Sequence, residues 1–400
     1  MTNVQSGVGR GGFESGSAEP GVGDDPIDVM RCLIGIDSVN PDLVQGAVGE
    51  AEIAAWCSRW LAGRGFEVHH LEECPGRPSI VGIFPGTGGG RSLMLNGHLD
   101  TVGVAGYRGD PFAGERPDGQ VLGRGAFDMK GGVAAILVAA ARASAAGLAG
   151  DVLVTLVADE EFGSTGTMEV LRSFRADAAI VAEPSELCLT LAHRGFAWFE
   201  LELSGLAAHG SQPERGIDAI AHAGLVLRAL DGLREQIEAG PGHPLLGHGT
   251  VRVSMIRGGT DAATVAAACT LTIERRTLPG ETPDDVEDEL RGVLEAIAGR
   301  TADFRFRLSR LVARMAFEAD PEWPIVRLAT AEADRVLGHA PATRGEPFWT
   351  DAGLLHEAGI PCLVLGVAGG GAHADVEWAE EASVLQLTAI LAGTIARFCA

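Results

Sequence analysis

The order of strands and helices changes twice along this 400-residue chain, and that change limits the folds it can adopt. Over about residues 26–195, short apolar strands alternate with alanine-rich helical stretches, a pattern typical of an α/β layer fold. Residues 196–311 instead follow the order β-α-β-β-α-β of a ferredoxin-like sandwich. The first pattern returns over 312–400. The sequence therefore predicts a mixed-sheet α/β domain in two pieces with an α+β domain inserted between them, after a disordered tail at residues 1–25.

The hydrophobic periodicity also predicts where individual elements lie. The strands are short and almost fully apolar, which indicates a sheet covered by helices on both faces. The predicted strands are 79–84, 92–97, 152–158, 178–182, 196–204, 250–257, 268–277, 303–310 and 361–366. The predicted helices are 50–63, 132–143, 217–238, 283–298 and 324–337.

The charge balance excludes several classes of partner. The chain carries 31 basic and 54 acidic residues, a net charge of −23, which disfavours binding to nucleic acid or to an anionic membrane. Lys130 is the only lysine, so a bound anion would have to be held by arginine.

We see no membrane-spanning apolar run, no secretory leader and no C-x-x-C pair among the seven cysteines. These features predict reduced thiols and a cytoplasmic protein.

A histidine and a carboxylate stand at the end of one predicted strand. The strand leads into His98 and Asp100, and residues two apart on a strand point the same way. A metal-binding histidine commonly donates its second N–H to a carboxylate, so Asp100 could orient His98. On its own, this pair also fits a surface turn.

Further acidic and imidazole side chains follow other predicted elements. Asp128 lies in a glycine-rich loop just before a helix, where helix capping is an alternative explanation. Glu160 and Glu161 follow a strand, and their divergent side chains would let one bind metal while the other accepts a proton. The residues alone do not say which does which. Glu183 ends the next strand, where a plain strand exit is an alternative, and His373 lies on a glycine-rich loop after the last strand.

We expect these side chains to meet, because open α/β sheets bind ligands at the carboxyl ends of their strands. Two histidines and three carboxylates form a mixed nitrogen and oxygen ligand set that suits zinc and, less well, cobalt or manganese. Five ligands exceed the needs of one catalytic zinc, so the set predicts two ions about 3.5–4 Å apart. Asp128 is our choice of bridge. Zinc lowers the pKa of bound water from about 15.7 to about 7, which provides a nucleophile at neutral pH.

Four segments together resemble one enzyme family: Gly97–Thr101, Gly125–Gly132, Glu160-Glu161 and Ala372-His373. Their order and spacing are similar to those of acetylornithine deacetylase, succinyl-diaminopimelate desuccinylase, aminoacylase and glutamate carboxypeptidase. The resemblance covers nearly everything beyond the tail. It implies a zinc-peptidase-like catalytic domain whose inserted ferredoxin-like lid commonly forms the dimer contact.

The resemblance also implies a role for each candidate residue. Glu160 would be the general base, and Asp100 would orient His98. Two zinc ions per subunit would be bound, with cobalt or manganese as substitutes. The implied ligands are His98 and Glu183 for one ion, Glu161 and His373 for the other, and Asp128 as the bridge.

Two further segments resemble parts of the family's lid. Leu206–Pro213 is similar to the loop whose histidine, here His209, reaches the partner subunit's site and polarises the scissile carbonyl. Glu274–Glu281 is similar to the arginine segment, with Arg276 at the position that binds a substrate carboxylate through its guanidinium fork. An exposed turn histidine and an exposed strand-end arginine are the alternatives. We therefore expect a homodimer formed through the inserted domain.

One departure from the family pattern bears on the substrate. Relatives usually carry an asparagine and then Val-Pro after the segment Gly258–Thr260, whereas this chain reads Asp-Ala-Ala-Thr-Val-Ala at 261–266. The predicted function is removal of an acetyl- or succinyl-type group from a small, anionic N-acyl amino acid. A dipeptidase or carboxypeptidase of the same family is the alternative, followed by a metal-free binding scaffold.

Overall fold

The structure, a computed structural model, describes residues 23–400. Apart from its last three residues, the predicted tail at 1–25 lies outside the described residues. The α-helices of the described part are α1 (Pro26–Ile34), α2 (Ala51–Ala62), α3 (Gly131–Ser144), α4 (Thr165–Ser173), α5 (Ala219–Ala239), α6 (Pro283–Ala298), α7 (Pro324–Leu337), α8 (Ala352–Glu357) and α9 (Glu381–Phe398). Its strands are β1 (Glu67–Leu71), β2 (Ser79–Phe84), β3 (Leu93–His98), β4 (Gln120–Leu122), β5 (Val152–Val157), β6 (Ala178–Val181), β7 (Leu189–His193), β8 (Gly195–Ser204), β9 (Thr250–Gly258), β10 (Ala268–Thr277), β11 (Arg305–Arg314), β12 (Phe317–Glu318), β13 (Thr343–Glu346), β14 (Cys362–Val364), β15 (Gly369–Gly370) and β16 (Trp378–Glu380).

A mixed sheet forms the centre of the larger unit. Its strands lie in the order β1-β2-β5-β3-β6-β14-β7-β12, and β13 also pairs with β7. β3 runs parallel to β5 and β6, and β14 runs parallel to β6. The carboxyl ends of these four strands therefore lie along one edge of the sheet. This arrangement confirms the predicted mixed-sheet α/β fold.

The helix α3 holds the preceding glycine-rich loop close to that edge. Nearly all of its residues are buried, as expected for a helix that is apolar on every side. A Cβ atom on Gly132 would lie 2.2 Å from the carbonyl oxygen of Ala182, so only glycine permits this approach of helix to sheet. The loop that carries Asp128 is consequently brought to the ends of β3 and β6.

A small second sheet ties two loops of the same edge together. β16 pairs with β15 on one side and with β4 on the other, antiparallel in both cases. β4 leads into the loop of Asp128, whereas His373 lies between β15 and β16. The two loops, which are far apart in sequence, are therefore held side by side.

The inserted segment forms a sheet and a core of its own. Its elements follow the order β8-α5-β9-β10-α6-β11, and its antiparallel strands lie in the order β11-β8-β10-β9. Phe199, Leu271 and Ile273 pack against Leu230 and Leu290 of the two helices. The predicted ferredoxin-like unit is confirmed, while the domain limits at residues 196 and 311 stay a prediction.

The structure contains elements that the sequence analysis did not predict, among them the helices α1, α4, α8 and α9 and the strands β1 and β7, and it also differs at the ends of predicted elements. The last strand of the inserted unit was predicted at 303–310 but runs from Arg305 to Arg314. It follows β8 along its whole length, with a shift of register between Arg310 and Val312 that lets pairing continue past an irregular point. Among the helices of residues 23–400, none combines the length and the apolar character that a membrane crossing needs.

Candidate metal centre

His98 lies at the carboxyl end of β3 and is buried. Its Nδ1 is 2.9 Å from the carbonyl oxygen of Asp100, which fixes the ring. Its Nε2 lies 3.1 Å from Asp128 Oδ1 and 3.6 Å from Glu183 Oε1. One nitrogen of the imidazole is thus held by the backbone, and the other faces two carboxylates from different loops.

His373 faces the same group of carboxylates from the other side. Its Nε2 lies 3.3 Å from Asp128 Oδ2 and 3.0 Å from Glu161 Oε2. The side chain is half exposed, unlike that of His98. The two oxygens of Asp128 therefore face two different imidazoles, which is the geometry expected of a carboxylate shared by two cations.

All five side chains predicted as ligands come together at one edge of the sheet. Two overlapping groups have ligand atoms within 4.8 Å of one another, namely His98 with Glu160 and Glu183, and His98 with Asp128 and Glu161. Glu160 and Glu161 both lie within this cluster, so distance alone does not assign one as ligand and the other as base.

The cluster holds more negative charge than its two imidazoles can balance. Burial raises the pKa of Glu160 and of Glu183, and each is raised further by neighbouring carboxylates. Burial and the charge of Asp128 raise the pKa of Glu161 to about 7. Hydrogen bonds to Asp128 and Glu161 raise the pKa of His373 to about 10. A buried site of this kind calls for added positive charge, and its oxygen and nitrogen donors suit divalent cations such as zinc.

The carboxylate of Asp100 holds the backbone of both candidate glutamates. It accepts hydrogen bonds from Glu160 N at 3.0 Å and from Glu161 N at 3.1 Å. Its Oδ1 is 3.6 Å from Nδ1 of His98, which is hydrogen-bonded to the Asp100 carbonyl oxygen instead. Asp100 therefore positions three residues of the cluster, whereas the sequence predicted that it would orient His98 alone.

A buried polar network, which the sequence analysis missed, holds the carboxylate of Asp100 in place. Asn40 donates its amide N–H groups to Asp100 Oδ2 at 2.8 Å and to Asp159 Oδ1 at 3.1 Å. Arg77 reaches the same Asp159 oxygen at 3.1 Å and forms a bidentate pair with Glu50 at 2.6 and 2.7 Å. A single asparagine in an irregular segment gives no sequence signal, since its partners are far away along the chain.

Glu377, also missed, organises the loop that carries Asp128. Its buried carboxylate accepts hydrogen bonds from the N–H groups of Gly125, Phe127 and Asp128 at 2.9, 3.0 and 2.9 Å. Arg124 pairs with it at 2.8 Å. Because Glu377 follows His373 on the same short loop, one carboxylate links the two loops that supply the shared aspartate and the second histidine.

The two candidates from the inserted unit do not join the cluster within one chain. His209 is exposed, and its Nδ1 lies 2.8 Å from Ser211 Oγ. Arg276 pairs with Glu274 at 2.9 Å and lies over the ring of Phe196. Neither lines the cavity described next, so their predicted roles stay predictions.

A cavity of about 560 Å³ opens directly onto the cluster. This volume is within the usual range of small-molecule sites. Phe127, Phe348 and Trp349 contribute aromatic walls, while Glu186 and Arg344 add charged groups. The geometry is that of an enzyme site in which a small substrate lies against a group able to hold metal.

The fold and this centre define a metal-dependent hydrolase. Residues 94–397 match the model of "Peptidase family M20/M25/M40". The chain belongs to that family. This confirms the family resemblance and the predicted kind of enzyme.

Individual relatives are consistent with the family assignment. An N-formyl-4-amino-5-aminomethyl-2-methylpyrimidine deformylase of Bacillus subtilis is 30% identical over 87% of this chain and 89% of its own length. An acetylornithine deacetylase of Myxococcus xanthus is 31% identical over 90% and 91%. The structure also resembles the aminopeptidase PepT of Bacillus cereus, with a TM-score of 0.78, 18% identity and coverage of 94% and 99%. A "dinuclear metal binding peptidase" of Bacillus subtilis aligns with a TM-score of 0.73, 18% identity and coverage of 94% and 97%.

Proposed function

We propose that this protein removes an acyl group, of acetyl or succinyl type, from a small N-acyl amino acid by hydrolysis of the amide bond. The observation that carries the proposal is the position of Asp128 between the imidazoles of His98 and His373. Buried carboxylates around it outnumber the histidines, and a pair of zinc ions would balance that charge.

The described residues suggest how two ions would be held. His98 and Glu183 would bind one, Glu161 and His373 the other, and Asp128 would be shared. When bound, the ions would polarise the amide carbonyl and lower the pKa of a water molecule. Cobalt or manganese, which accept similar donors, are proposed as substitutes for zinc.

Glu160 is proposed as the general base. Its carboxylate lines the cavity, and its backbone N–H is held by Asp100 at 3.0 Å. A fixed carboxylate beside the substrate can take a proton from the attacking water and pass it to the departing amine. His98, whose second nitrogen is held by the Asp100 carbonyl, would keep its orientation throughout.

A deacylase is favoured over a peptidase by the more similar relatives. The relatives that are about 30% identical over most of their length are named for removing formyl or acetyl groups. The peptidases among the solved structures are less than 25% identical and support the fold alone. A dipeptidase or carboxypeptidase activity is the second candidate.

A homodimer formed through the inserted unit is also proposed. β9 is an edge strand of its sheet, and Met255 and Ile256 on it are about half exposed. An edge with unpaired backbone groups and apolar side chains is suited to pairing with a second copy. Such a partner could bring His209 to the cavity and leave Arg276 to hold the substrate carboxylate.

A cytoplasmic location is also proposed, because no disulfide joins any of the seven cysteines, all of them in the described residues.

The experiment is metal removal followed by a substrate panel. The protein is treated with a chelator, dialysed, and assayed on acetylated and succinylated amino acids and on dipeptides before and after zinc or cobalt is restored. Activity on acylated amino acids that needs metal supports the proposal. Activity on dipeptides alone favours the second candidate, and no metal uptake with no turnover would favour a binding scaffold.

A further inference from the structure

The loop that carries Glu160 and Glu161 has a tight and strained backbone. It begins at Asp159 and ends at Ser164, which have φ values of 69° and 55°, in the left-handed region that residues other than glycine seldom adopt. A Cβ atom on Gly163 would lie 2.8 Å from Oδ2 of the buried Asp159, so a larger residue would disturb the turn. A strained backbone persists only where neighbouring groups hold it, and the conformation of this loop therefore depends on its contacts.

One of these contacts comes from the inserted unit. Asp100, in the larger unit, accepts hydrogen bonds from two backbone N–H groups of the loop. Arg314, the last residue of β11, donates from Nη2 to the carbonyl oxygen of Gly163 at 2.7 Å. A guanidinium is a charged donor, so this hydrogen bond is stronger than one between neutral groups.

Further contacts fix the direction of the Arg314 side chain. Its guanidinium carbon lies 6.0 Å from the centre of the Trp349 ring, and its Nη1 donates to the carbonyl oxygen of Ala313 at 3.0 Å. Trp349 lines the cavity and donates from Nε1 to the carbonyl oxygen of Met315, the residue after Arg314, at 3.0 Å. The end of β11 is thus joined both to the cavity wall and to the loop of the proposed base.

The other arginines of the same strand have different partners. All three pair with carboxylates of the inserted unit itself, namely Arg305 with Asp303, Arg307 with Glu202, and Arg310 with Asp284 and Glu287. Arg314 instead binds a backbone carbonyl of the larger unit, two residues after Glu161. Its contact therefore relates the position of one unit to the backbone of the other.

We propose that Arg314 is a positioning residue that makes the placement of Glu160 depend on the position of the inserted unit. The inference rests on the proposed hydrolase function and adds that the inserted unit acts on the base of its own chain. While Arg314 holds Gly163, the carboxylate of Glu160 is kept beside the cavity. When this contact is lost, the strained loop relaxes and the base is misplaced. Arg314 is not among the described residues that line the cavity, so substrate binding should change little.

The first test replaces Arg314 in the metal-loaded protein. Arg314→Met keeps an unbranched apolar stem but removes every donor. On the acylated amino acid that the unchanged protein hydrolyses best, kcat should fall about tenfold to a hundredfold, the usual worth of a charged hydrogen bond, with KM little changed. Added guanidinium ion, at concentrations well below those that unfold proteins, should restore part of this kcat, because it can occupy the vacated space and donate to Gly163.

Two further variants separate positioning from general stability. Arg314→Lys keeps a charged donor with poorer geometry, so its kcat should lie between those of Arg314→Met and the unchanged protein. Arg310→Met removes an arginine of the same strand whose partners lie within the inserted unit. This control should keep its kcat and should not respond to guanidinium.

Hydrogen exchange tests the contact without turnover. Backbone amides of residues 160–164 should exchange faster in Arg314→Met than in the unchanged protein, whereas those of the buried helix α3 should exchange equally in both. If the unchanged protein hydrolyses no acylated amino acid, the proposed function fails, and this measurement still decides whether Arg314 holds the loop. If Arg314→Met does not fold, Arg314→Lys replaces it in both tests.

Three outcomes would overturn the inference. Equal exchange of residues 160–164 in both proteins would show that Arg314 does not hold the loop. An unchanged kcat in Arg314→Met would show that the base does not depend on this contact. A lower kcat that guanidinium does not restore, with faster exchange in α3 as well, would indicate a general loss of structure.

Discussion

The carboxylates at this centre have different roles, and each role depends on the groups that the carboxylate contacts. Asp128 presents one oxygen to each of two imidazoles, whereas Asp100 is turned away from the cavity and holds backbone N–H groups. Glu377 fixes the loop of Asp128 through three backbone hydrogen bonds. Residue type alone would make these three acids equivalent, and only their partners separate them.

Replacing Glu160 should separate turnover from metal binding. Glu160→Ala removes the proposed base but none of the proposed ligands, so kcat should fall by about 10²- to 10⁴-fold with metal content unchanged. Glu161→Ala is the matched variant, and it should lose metal instead. Metal analysis alongside steady-state kinetics reads both effects. Retained turnover in Glu160→Ala would remove this residue from the role of base.

Replacing Glu377 should weaken metal binding, although Glu377 is not one of the proposed ligands. Glu377→Gln keeps the shape of the side chain but gives up the charge that holds Arg124 and three backbone N–H groups. We expect metal affinity to fall about 10- to 100-fold, as for other residues that orient ligands. Asp375→Asn, an exposed change on the same loop, is the control. Zinc affinity measured by chelator competition checks both, and equal affinities would contradict this role.

At the scale of elements, nine strands and five helices could be predicted because their periodicity is local, whereas the long helix α9 and the strands β1 and β7 were not predicted. The almost fully apolar β5 and the alanine-rich α3 give clear signals, and so do the segments of His98 and Asp128. Short elements such as β15 and β16 have too few residues for any pattern. The roles of Asn40 and Glu377 were not predicted for a related reason, since their partners are brought together by tertiary contacts between distant segments.

The strand β7 contains a group that should make stability depend on pH. His193 is buried against Phe317 and Trp349, and burial lowers its pKa to about 4, below the usual 6.5 of an exposed histidine. The neutral ring is favoured in the folded state, so its contribution to stability is present above pH 6.5 and is lost as pH falls towards 4. At pH 5 the loss should be about 2 kcal/mol.

Urea unfolding at pH 7 and pH 5 measures this effect. His193→Phe keeps an aromatic ring in the core but cannot take up a proton. The variant will be less stable at pH 7, because the Arg194 carbonyl oxygen loses its partner at 3.1 Å. Its decrease between the two pH values should nevertheless be smaller than that of the unchanged protein by about 2 kcal/mol. Equal decreases would show that His193 does not titrate as described.

At the scale of the whole molecule, one chain brings together the proposed metal ligands but not the two candidates from the inserted unit. His209 and Arg276 lie outside the cavity wall, on a unit with its own core. The sequence could suggest their roles only through family resemblance. A second copy paired along β9 is the arrangement that would complete the site.

A charged side chain introduced on the edge strand β9 should therefore dissociate the proposed dimer into monomers and reduce its activity. Ile256→Arg places a cation where we expect two copies to meet. Leu311→Arg is the control, because Leu311 is similarly exposed but lies on β11 at the opposite edge of the sheet. Light scattering should show monomers for Ile256→Arg and dimers for the control, with turnover lost only in the former. A monomeric unchanged protein at micromolar concentration would contradict the dimer.

The central claim is that side chains from five separate segments, namely His98, Asp128, Glu161, Glu183 and His373, hold two metal ions, with Asp128 shared between them. Anomalous X-ray scattering from crystals of the zinc-loaded protein tests it most directly. We expect two peaks about 3.5–4 Å apart, one beside His98 and the other beside His373, with Asp128 between them. A single peak, or peaks away from these histidines, would contradict the account.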